Sequence, residues 1–346
     1  MQTTTKQLSP AAIMQVGMGF WPSKVLLTAV NEGLFTQLAQ KSLSLKEIKT
    51  MFDWNCTNRH ASDFLDTLFA LNFLNRQGIG DNAVYSNTDE TGFFLDKNKP
   101  SYMGGILEMA NNRLFRFWAN LEDGLKTGLP QNEIKQGDEN LFDAIYKSPE
   151  LLRGFIIAMS GISLGNFMSF ATRFDFSKYK TLCDIGGAGG MLSIQVATHN
   201  PHINCTSFDL PAVEPIAKEI IQGFNLAGKI KTAKGDFFTD AFPTADIITM
   251  GMILHDWNEE KKCLLIKKAY EALPENGALI AIENIIDNQR SQNVFGLTMS
   301  LNMLIETGEG FDFTLDDFSK WTKEAGFKTV DLIPLAGPAS AAIAYK

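Results

Sequence analysis

After residue 180 the chain alternates between short apolar runs and amphipathic segments. This alternation predicts strands at 181–185, 203–208, 230–234, 245–250 and 277–283. The amphipathic segments predict helices at 190–199, 212–225, 258–273, 292–306 and 315–325. The final stretch, KTVDLIPLAGPASAAIAYK, has the pattern of two strands joined by a turn. This order predicts an α/β fold with a doubly wound, mainly parallel sheet, in which ligands bind beyond the carboxyl ends of the strands.

The first hundred residues predict helices followed by a hairpin, which is the winged-helix arrangement. Ser44 starts a helix in which Glu47 completes a capping box. Helices are expected at 23–39, 44–52 and 58–75, and the hairpin, or wing, at 76–89. Because 346 residues exceed the usual size of one domain, we predict two domains, 1–105 and 106–346. Residues 101–170 are expected to be mostly helical, with a polar loop at 126–140.

DNA binding is the best-known use of a winged helix, and the charge pattern argues against it here. The helix that would enter the groove carries Asp63 and Asp66 against Arg59 and His60, and the whole chain has a net charge of −8. Contacts with phosphates require a basic surface. We therefore favour a packing or dimerisation role over that of a DNA-binding regulator, and we expect no nucleic-acid partner.

The stretch LCDIGGAGGM (182–191) follows the first predicted strand of the sheet and raises the question of its ligand. Its glycines do not fit the G-x-G-x-x-G dinucleotide fingerprint in either frame, and a pyrophosphate would lie beside the carboxylate of Asp184. S-adenosylmethionine has an ammonium, a sulfonium and no phosphate, which removes the conflict. We therefore predict S-adenosylmethionine as cofactor and S-adenosylhomocysteine as product. Gly186, Gly187 and Gly189 would let the backbone approach the methionine moiety.

Two more acids follow the next two predicted strands. Asp209 can accept hydrogen bonds from both ribose hydroxyls, while Asp236 and Phe237 can meet the adenine amino group and ring. Each acid alone is more often a helix cap or turn residue. Three acids, each after a successive strand, make the nucleoside prediction much stronger.

His255 follows the fourth predicted strand and is the candidate general base, although a histidine that caps the next helix is the plainer alternative. A carboxylate behind a basic histidine fixes its tautomer and stabilises the imidazolium. Glu283, at the end of the fifth strand, and Asp312, in GEGFDFT, can both reach the ring. Asp256 also fits a first-turn acid of the following helix.

Six motifs in this order resemble the plant and animal small-molecule O-methyltransferases of the caffeic-acid and acetylserotonin types and their bacterial natural-product relatives. The motifs are CDIGGAGG, SFDLP, GDFF, ILHDW, ALIAIENIID and SLNMLIETGEGFDFT. The resemblance covers nearly the whole chain. It implies a class I, Rossmann-like methyltransferase with a seven-stranded sheet, and a homodimer formed through the winged-helix domain. A helical connection, 106–170, would line the acceptor pocket.

The resemblance also implies roles for individual residues. His255 would deprotonate a substrate hydroxyl, with Glu283 and Asp312 bracketing it, and Leu210 and Trp257 would join the cofactor pocket. The acceptor contacts would be Phe155, Met159, Asp256, Phe295, Asn302 and Met303. One departure is that GFDFT replaces the common Gly-Lys-Glu-Arg-Thr. The carboxylate at 312 is therefore one methylene shorter, and two phenylalanines replace charged neighbours.

The remaining expectations concern location and chemistry. We find no apolar run that predicts a membrane span and no signal peptide, and the four cysteines make no CxxC pair. No metal, no disulfide framework, no membrane partner and a reducing cytoplasm are expected. The acceptor is expected to be small, aromatic and hydroxylated. N- or C-methylation, or decarboxylation, hydroxylation or pericyclic chemistry on the same fold, stays open as an alternative.

Overall fold

The computed structural model divides into two compact units, Met1–Phe115 and Arg116–Lys346. The residues that the structure describes are 8–99, 101–135, 145–146 and 148–346.

The N-terminal unit is mostly helical and contains one small antiparallel sheet. Its helices are α1 (Ala11–Gly17), α2 (Phe20–Asn31), α3 (Leu34–Leu38), α4 (Leu45–Met51), α5 (Asn58–Ala70), α6 (Asp89–Phe94) and α7 (Gly104–Met109), followed by a π-helical turn, Ala110–Leu114. Its strands are β1 (Leu43–Ser44), β2 (Leu74–Gln77) and β3 (Val84–Asn87), in the order β1-β3-β2. Helix α8 (Phe115–Trp118) contains the boundary between the units.

The prediction of one continuous helix over 23–39 is wrong. Gly33 adopts a left-handed conformation with φ of 77°, which ends α2 and starts α3. The apolar periodicity runs across this break because both helices bury residues in the same core. The helix predicted over 58–75 ends early at Ala70, since Asn72 has φ of 62° and turns the chain into β2. The capping box of Ser44 and Glu47 is confirmed.

The C-terminal unit is built on a seven-stranded sheet in the order β6-β5-β4-β7-β8-β10-β9. The strands are β4 (Thr181–Ile185), β5 (Asn204–Asp209), β6 (Ile230–Lys234), β7 (Ile247–Gly251), β8 (Ala278–Glu283), β9 (Thr329–Pro334) and β10 (Ser340–Tyr345). The first five are parallel, and β10 pairs antiparallel with both β8 and β9. The five predicted strands and the terminal hairpin are confirmed, with small shifts at their ends.

Helices cover both faces of this sheet, as the doubly wound prediction requires. The helices on its faces are α10 (Pro149–Arg173), α11 (Met191–His199), α12 (Glu214–Gly223), α13 (Glu259–Ala272) and α15 (Leu315–Ala325). The unit also contains α9 (Leu121–Thr127) and α14 (Val294–Glu306), which contact each other. Successive strand residues point to opposite faces, so Leu182 packs in the core with α10, α11 and α12, whereas Cys183 packs in the core with α13 and α15. Part of the polar loop predicted at 126–140 lies outside the described residues, from 136 onward.

Helix α10 is, by length and composition, long and apolar enough to cross a membrane, with a mean hydropathy of 1.4 in its most apolar window. It nevertheless contributes buried side chains such as Ile156, Phe167 and Phe170 to the core of the C-terminal unit. A core helix passes the same compositional test, and 33% of this window is buried inside the structure.

The strand order determines where in the sheet the candidate site lies. From β4 the chain proceeds to β5 and β6 on one side, and then returns to add β7 on the other side of β4. A parallel sheet opens a crevice at the carboxyl ends of the two strands where the direction reverses. The glycine stretch follows β4 and the His255 turn, Leu254–Asp256, follows β7, so both lie at that crevice.

Candidate active site

The glycine stretch lies tightly against the neighbouring strand. The backbone N–H groups of Gly186 and Gly187 donate to the Phe208 carbonyl at 2.9 and 3.2 Å. A Cβ on Gly187 would lie 2.3 Å from Ser207 Oγ and 3.2 Å from a carboxylate oxygen of Asp184. A side chain at position 187 would therefore clash with its neighbours. The loop forms a narrow pocket at the end of β4, which we call the glycine cradle.

Asp184 lies inside this cradle as a buried carboxylate. One of its oxygens accepts a hydrogen bond from the Thr249 hydroxyl on β7 at 2.8 Å. Burial raises the pKa of Asp184 to about 7, the Thr249 bond lowers it, and the charge of Asp209 raises it further. A desolvated carboxylate of this kind is stabilised by a cation, so the cradle suits a ligand with a positively charged group.

Asp209 connects the glycine loop to the end of β5 through hydrogen bonds. Its oxygens accept from the backbone N–H groups of Ala188 at 2.8 Å and Leu210 at 2.7 Å, and the Tyr146 hydroxyl also donates to it. Ala188 is thereby held in a left-handed conformation with φ of 45°. Burial raises the pKa of Asp209. Two carboxylate oxygens offer about four acceptor positions, which leaves capacity for a ligand hydroxyl.

Aromatic rings form a wall beyond β6 and β7. The ring of Phe238 packs edge-on against Phe237 and Trp257, with both centroid distances at 4.7 Å. Asp236 shapes this turn, because one of its oxygens accepts the backbone N–H of Phe238 at 2.8 Å. The structure therefore brings Phe237 and Trp257 together, and it adds Phe238 to the residues singled out from the sequence.

His255 is 4% exposed and is surrounded by acids. Its Nδ1 lies 3.6 Å from a carboxylate oxygen of Asp312 and 4.0 Å from one of Glu283, while its Nε2 lies 3.5 Å from Asp256. The other oxygen of Glu283 accepts the backbone N–H groups of Ile253 and Leu254, at 3.1 and 3.0 Å, and so holds the turn. The shorter Asp312 side chain still reaches the ring.

The acids control the charge state of the imidazole. Burial lowers the pKa of His255, but the negative charges of Glu283, Asp256 and Asp312 outweigh it and raise the pKa to about 10. Burial also raises the pKa of Glu283 to about 7 and that of Asp256 to about 6, although the imidazolium lowers both. The cluster therefore stabilises a protonated imidazole, which is the product of a general-base step.

The predicted acceptor residues are less closely assembled. Asn302 on α14 accepts a hydrogen bond from the indole N–H of Trp118 at 2.8 Å, which fixes the orientation of its amide. The remaining side chains are half-buried Phe155 and Met159 on α10, and exposed Phe295 and buried Met303 on α14. Their role as acceptor contacts stays a prediction.

Five residues that the structure places among the predicted ones were not singled out from the sequence. Thr249 lies in the middle of an apolar strand, and Tyr146 and Trp118 lie outside the quoted motifs. Lys262 is buried, although its helix is rich in charged residues. Of the five, only Phe238 had a visible signal, since it completes the GDFF motif.

Comparison with known proteins identifies the class to which this fold and site belong. The family model of the O-methyltransferase domain matches residues 118–328, and that of the O-methyltransferase dimerisation domain matches residues 14–97. The chain therefore belongs to the S-adenosylmethionine-dependent O-methyltransferase family.

Individual relatives match along almost the whole chain. The Streptomyces glaucescens tetracenomycin polyketide synthesis 8-O-methyl transferase TcmO is 36% identical over 97% of both chains. The Streptomyces rimosus N,N-dimethyltransferase OxyT is 31% identical over 94% of both. Among solved structures, human N-acetylserotonin methyltransferase in complex with SAM is 27% identical with a TM-score of 0.89, covering 100% of this chain and 99% of that one.

Proposed function

We propose that this protein transfers a methyl group from S-adenosylmethionine to a hydroxyl of a small aromatic metabolite, with His255 as the general base. The observation that carries the proposal is the buried imidazole of His255, whose Nδ1 lies near the carboxylates of both Glu283 and Asp312. This cluster follows β7, next to the strand that bears the glycine cradle.

The cradle fits the cofactor. Asp184 supplies a desolvated carboxylate for a cationic group, Asp209 supplies acceptors for ribose hydroxyls, and the wall of Phe237, Phe238 and Trp257 supplies apolar surface for a purine. When bound, S-adenosylmethionine supplies an electrophilic methyl group. Asp236 would meet the adenine, and Gly186, Gly189 and Leu210 would complete the pocket.

The residues around His255 support its role as the general base. Because Glu283 and Asp312 both lie on the Nδ1 side, Nε2 is the nitrogen that receives the substrate proton. Asp256, 3.5 Å from Nε2, lies beside the position of an incoming hydroxyl. A phenol has a pKa near 10, so an imidazole with a pKa of about 10 accepts its proton with little net cost.

The acceptor class is supported by relatives that are named as O-methyltransferases of small molecules. Their names include an 8-O-methyl transferase of tetracenomycin synthesis, a 3-hydroxy-5-methyl-1-naphthoate 3-O-methyltransferase and acetylserotonin O-methyltransferases. The name of OxyT, an N,N-dimethyltransferase, makes N-methylation the second candidate.

The direct test combines the purified protein, S-adenosylmethionine and matched panels of hydroxylated and aminated naphthalenes, anthraquinones and indoles. Mass spectrometry would follow S-adenosylhomocysteine and the methylated product together. We expect O-methyl products from the hydroxylated panel. Products from the amines alone would favour N-methylation, and conversion of an acceptor without methyl transfer would favour one of the non-methylating chemistries.

Cofactor affinity should depend on pH through Asp184. The pKa of this carboxyl is raised to about 7, and a cationic ligand favours its charged form, so binding should weaken as the pH falls through 7 and should release a proton there. Calorimetry in two buffers with different ionisation enthalpies would measure the released proton. Asp184→Asn should weaken binding at high pH and remove this pH dependence. An unchanged pH dependence in that variant would show that Asp184 does not face the cation.

We also propose a homodimer formed through the N-terminal unit, located in the reducing cytoplasm. Helix α1 and the start of α2 expose large apolar side chains, including Ile13, Val16 and Trp21, the last 61% exposed. The four cysteines are all free, which supports a reducing compartment.

Light scattering should give twice the chain mass for the native protein. Val16→Asp combined with Trp21→Asp should yield monomers, because charges in an apolar interface are costly. Phe224→Asp, at an exposed phenylalanine after α12, serves as the control and should remain dimeric. A dimer that survives the double substitution would place the interface elsewhere.

A further inference from the structure

Trp118, at the end of α8, donates its indole N–H to Oδ1 of Asn302 on α14 at 2.8 Å. An indole N–H can only donate a hydrogen bond, so the part of the Asn302 amide that faces it must be the carbonyl oxygen. Without such a partner, an asparagine amide can turn over and present either its oxygen or its NH2 group at the same place. Trp118 removes this freedom and leaves the NH2 group of Asn302 directed away from the indole.

The indole is held in place relative to α14, because the chain that follows it packs along this helix. Helix α9 contacts α14. Beyond α9, the backbone N–H of Gln131 donates to the Ile305 carbonyl at 2.8 Å. The side-chain amide of Asn132 is buried and donates to the Glu306 carbonyl at 2.9 Å. The fold itself therefore sets the position of the indole.

Asn302 lies on the side of α14 that is turned towards the catalytic groups. This helix packs against the turn that carries His255. Glu306 follows Asn302 by one helical turn and so shares its face, and its charge acts on Asp256. Asn302 is half-buried, and no residue that the structure describes accepts a hydrogen bond from its NH2 group. This donor is therefore available to a ligand beside His255.

We propose that Trp118 is a positioning residue that makes Asn302 a fixed hydrogen-bond donor, and that the methyl acceptor carries a carbonyl oxygen for this donor, as aromatic ketones and quinones do. The inference rests on the proposed function, with Asn302 as a contact of the acceptor. A carbonyl oxygen accepts from an NH2 group, whereas an amino group in the same place would set donor against donor. Trp118 and Asn302 thus select among aromatic hydroxyl compounds by the second polar group on the ring.

A purely structural role, in which the hydrogen bond only joins α8 to α14, is the alternative. Both roles predict that loss of the indole N–H lowers stability. Only the selecting role predicts that the preference between acceptors changes. The readout must therefore be a ratio between acceptors and not the activity with one of them.

Naphthols that carry an acetyl, an ethyl or an amino group at the same ring position provide this ratio. Acetyl and ethyl groups are similar in size, and only the acetyl group accepts a hydrogen bond. In the native protein we expect kcat/KM for the best acetyl isomer to exceed that for its ethyl counterpart by roughly three- to tenfold, the effect of one hydrogen bond. The amino counterpart should be the poorest. Because the substituents also alter the reactivity of the hydroxyl, the quantity compared between variants is the change in these ratios.

Two substitutions separate the donor from the residue that orients it. Asn302→Asp keeps an oxygen for the indole and removes the NH2 donor, so the preference for the acetyl group should disappear. Trp118→Phe keeps an aromatic ring and removes the N–H, so the amide can turn over. The ratio of acetyl to ethyl should then fall towards one, and the amino naphthol should gain relative to the ethyl naphthol.

Two further variants serve as controls. Trp54→Phe makes the same change in the N-terminal unit, where the ring of Trp54 packs against Phe52 and Phe64, and it should leave both ratios as they are. Adding Trp118→Phe to Asn302→Leu should change the ratios no further than Asn302→Leu alone, because Trp118 acts through Asn302.

Calorimetry of the three naphthols with the protein loaded with S-adenosylhomocysteine separates this inference from the proposed function. Binding with the expected preference but without any methylated product would refute the proposed function and support the role of Trp118. The inference is wrong if the native protein shows no preference for the acetyl group in either binding or kcat/KM. It is also wrong if Trp118→Phe keeps the native ratios, since the hydrogen bond would then be structural.

Discussion

Replacement of His255 by glutamine should lower kcat by roughly 10²–10⁴-fold, because the variant loses general-base catalysis while its neighbours stay in place. Cofactor affinity should be nearly unchanged, since the glycine cradle and Asp184 belong to another strand. Steady-state kinetics with a hydroxylated acceptor and calorimetry with S-adenosylhomocysteine separate the two effects. Some turnover should persist, because holding two reactants in near-attack geometry contributes on the order of 7–11 kcal/mol by itself.

The native enzyme should also show a rate that rises with pH. The pKa of His255 is raised to about 10, so the neutral base becomes more abundant through the alkaline range. A group whose folded pKa is raised stabilises the fold fully below its unfolded pKa, about 6.5 for histidine, and this stabilisation is lost as the pH rises through about 10. The free energy of unfolding should therefore decline over that window, and His255→Gln should lack this component.

His199→Gln is the matched control, because His199 lies exposed at the end of α11. It should leave kcat, the pH profile and stability as they are. Native kcat in His255→Gln would exclude His255 as the base and would favour transfer by proximity alone.

The fold was largely predictable from the sequence because parallel strands buried on both faces appear as continuous apolar runs. Strands β7 and β8 are runs of this kind, and Asp184 and Asp209, at the ends of β4 and β5, mark the carboxyl ends of those strands. Position relative to a strand end is a property of the local sequence, so Asp184, Asp209 and His255 could be singled out together.

The partners of these residues could not be predicted in the same way. Thr249 reaches Asp184 only because β7 pairs with β4 across 65 positions of sequence, a contact that the strand order creates. Lys262 has the spacing of a helix-surface lysine, and only the docking of the Phe311 loop over it makes it a buried charge. The break at Gly33 could not be predicted for a related reason. Apolar periodicity indicates which residues are buried, and it does not indicate whether the helix is continuous.

Gly310 makes the approach of the Asp312 loop to the His255 turn possible, and Gly310→Ala should disrupt it. A Cβ at this position would lie 2.5 Å from the His255 carbonyl oxygen, and 2.6 and 2.7 Å from the carbonyl oxygen and carbon of Asp256. All three atoms belong to the backbone and cannot rotate away. The loop must therefore retreat, and it carries Asp312 with it, away from its position 3.6 Å from Nδ1 of His255.

The expected result is a loss of about 10²-fold in kcat, the effect of a displacement of about 1 Å near reacting groups. The free energy of unfolding should fall by roughly 1–3 kcal/mol, as overpacking of a buried contact usually costs. Cofactor affinity should change little, because the cradle lies on β4. Gly228→Ala is the matched control, since a Cβ there meets no atom within 4 Å and should change neither quantity. Native kcat in Gly310→Ala, with the protein folded, would show that catalysis does not depend on the close contact between Asp312 and His255, and Glu283 would then be the carboxylate that orients the base.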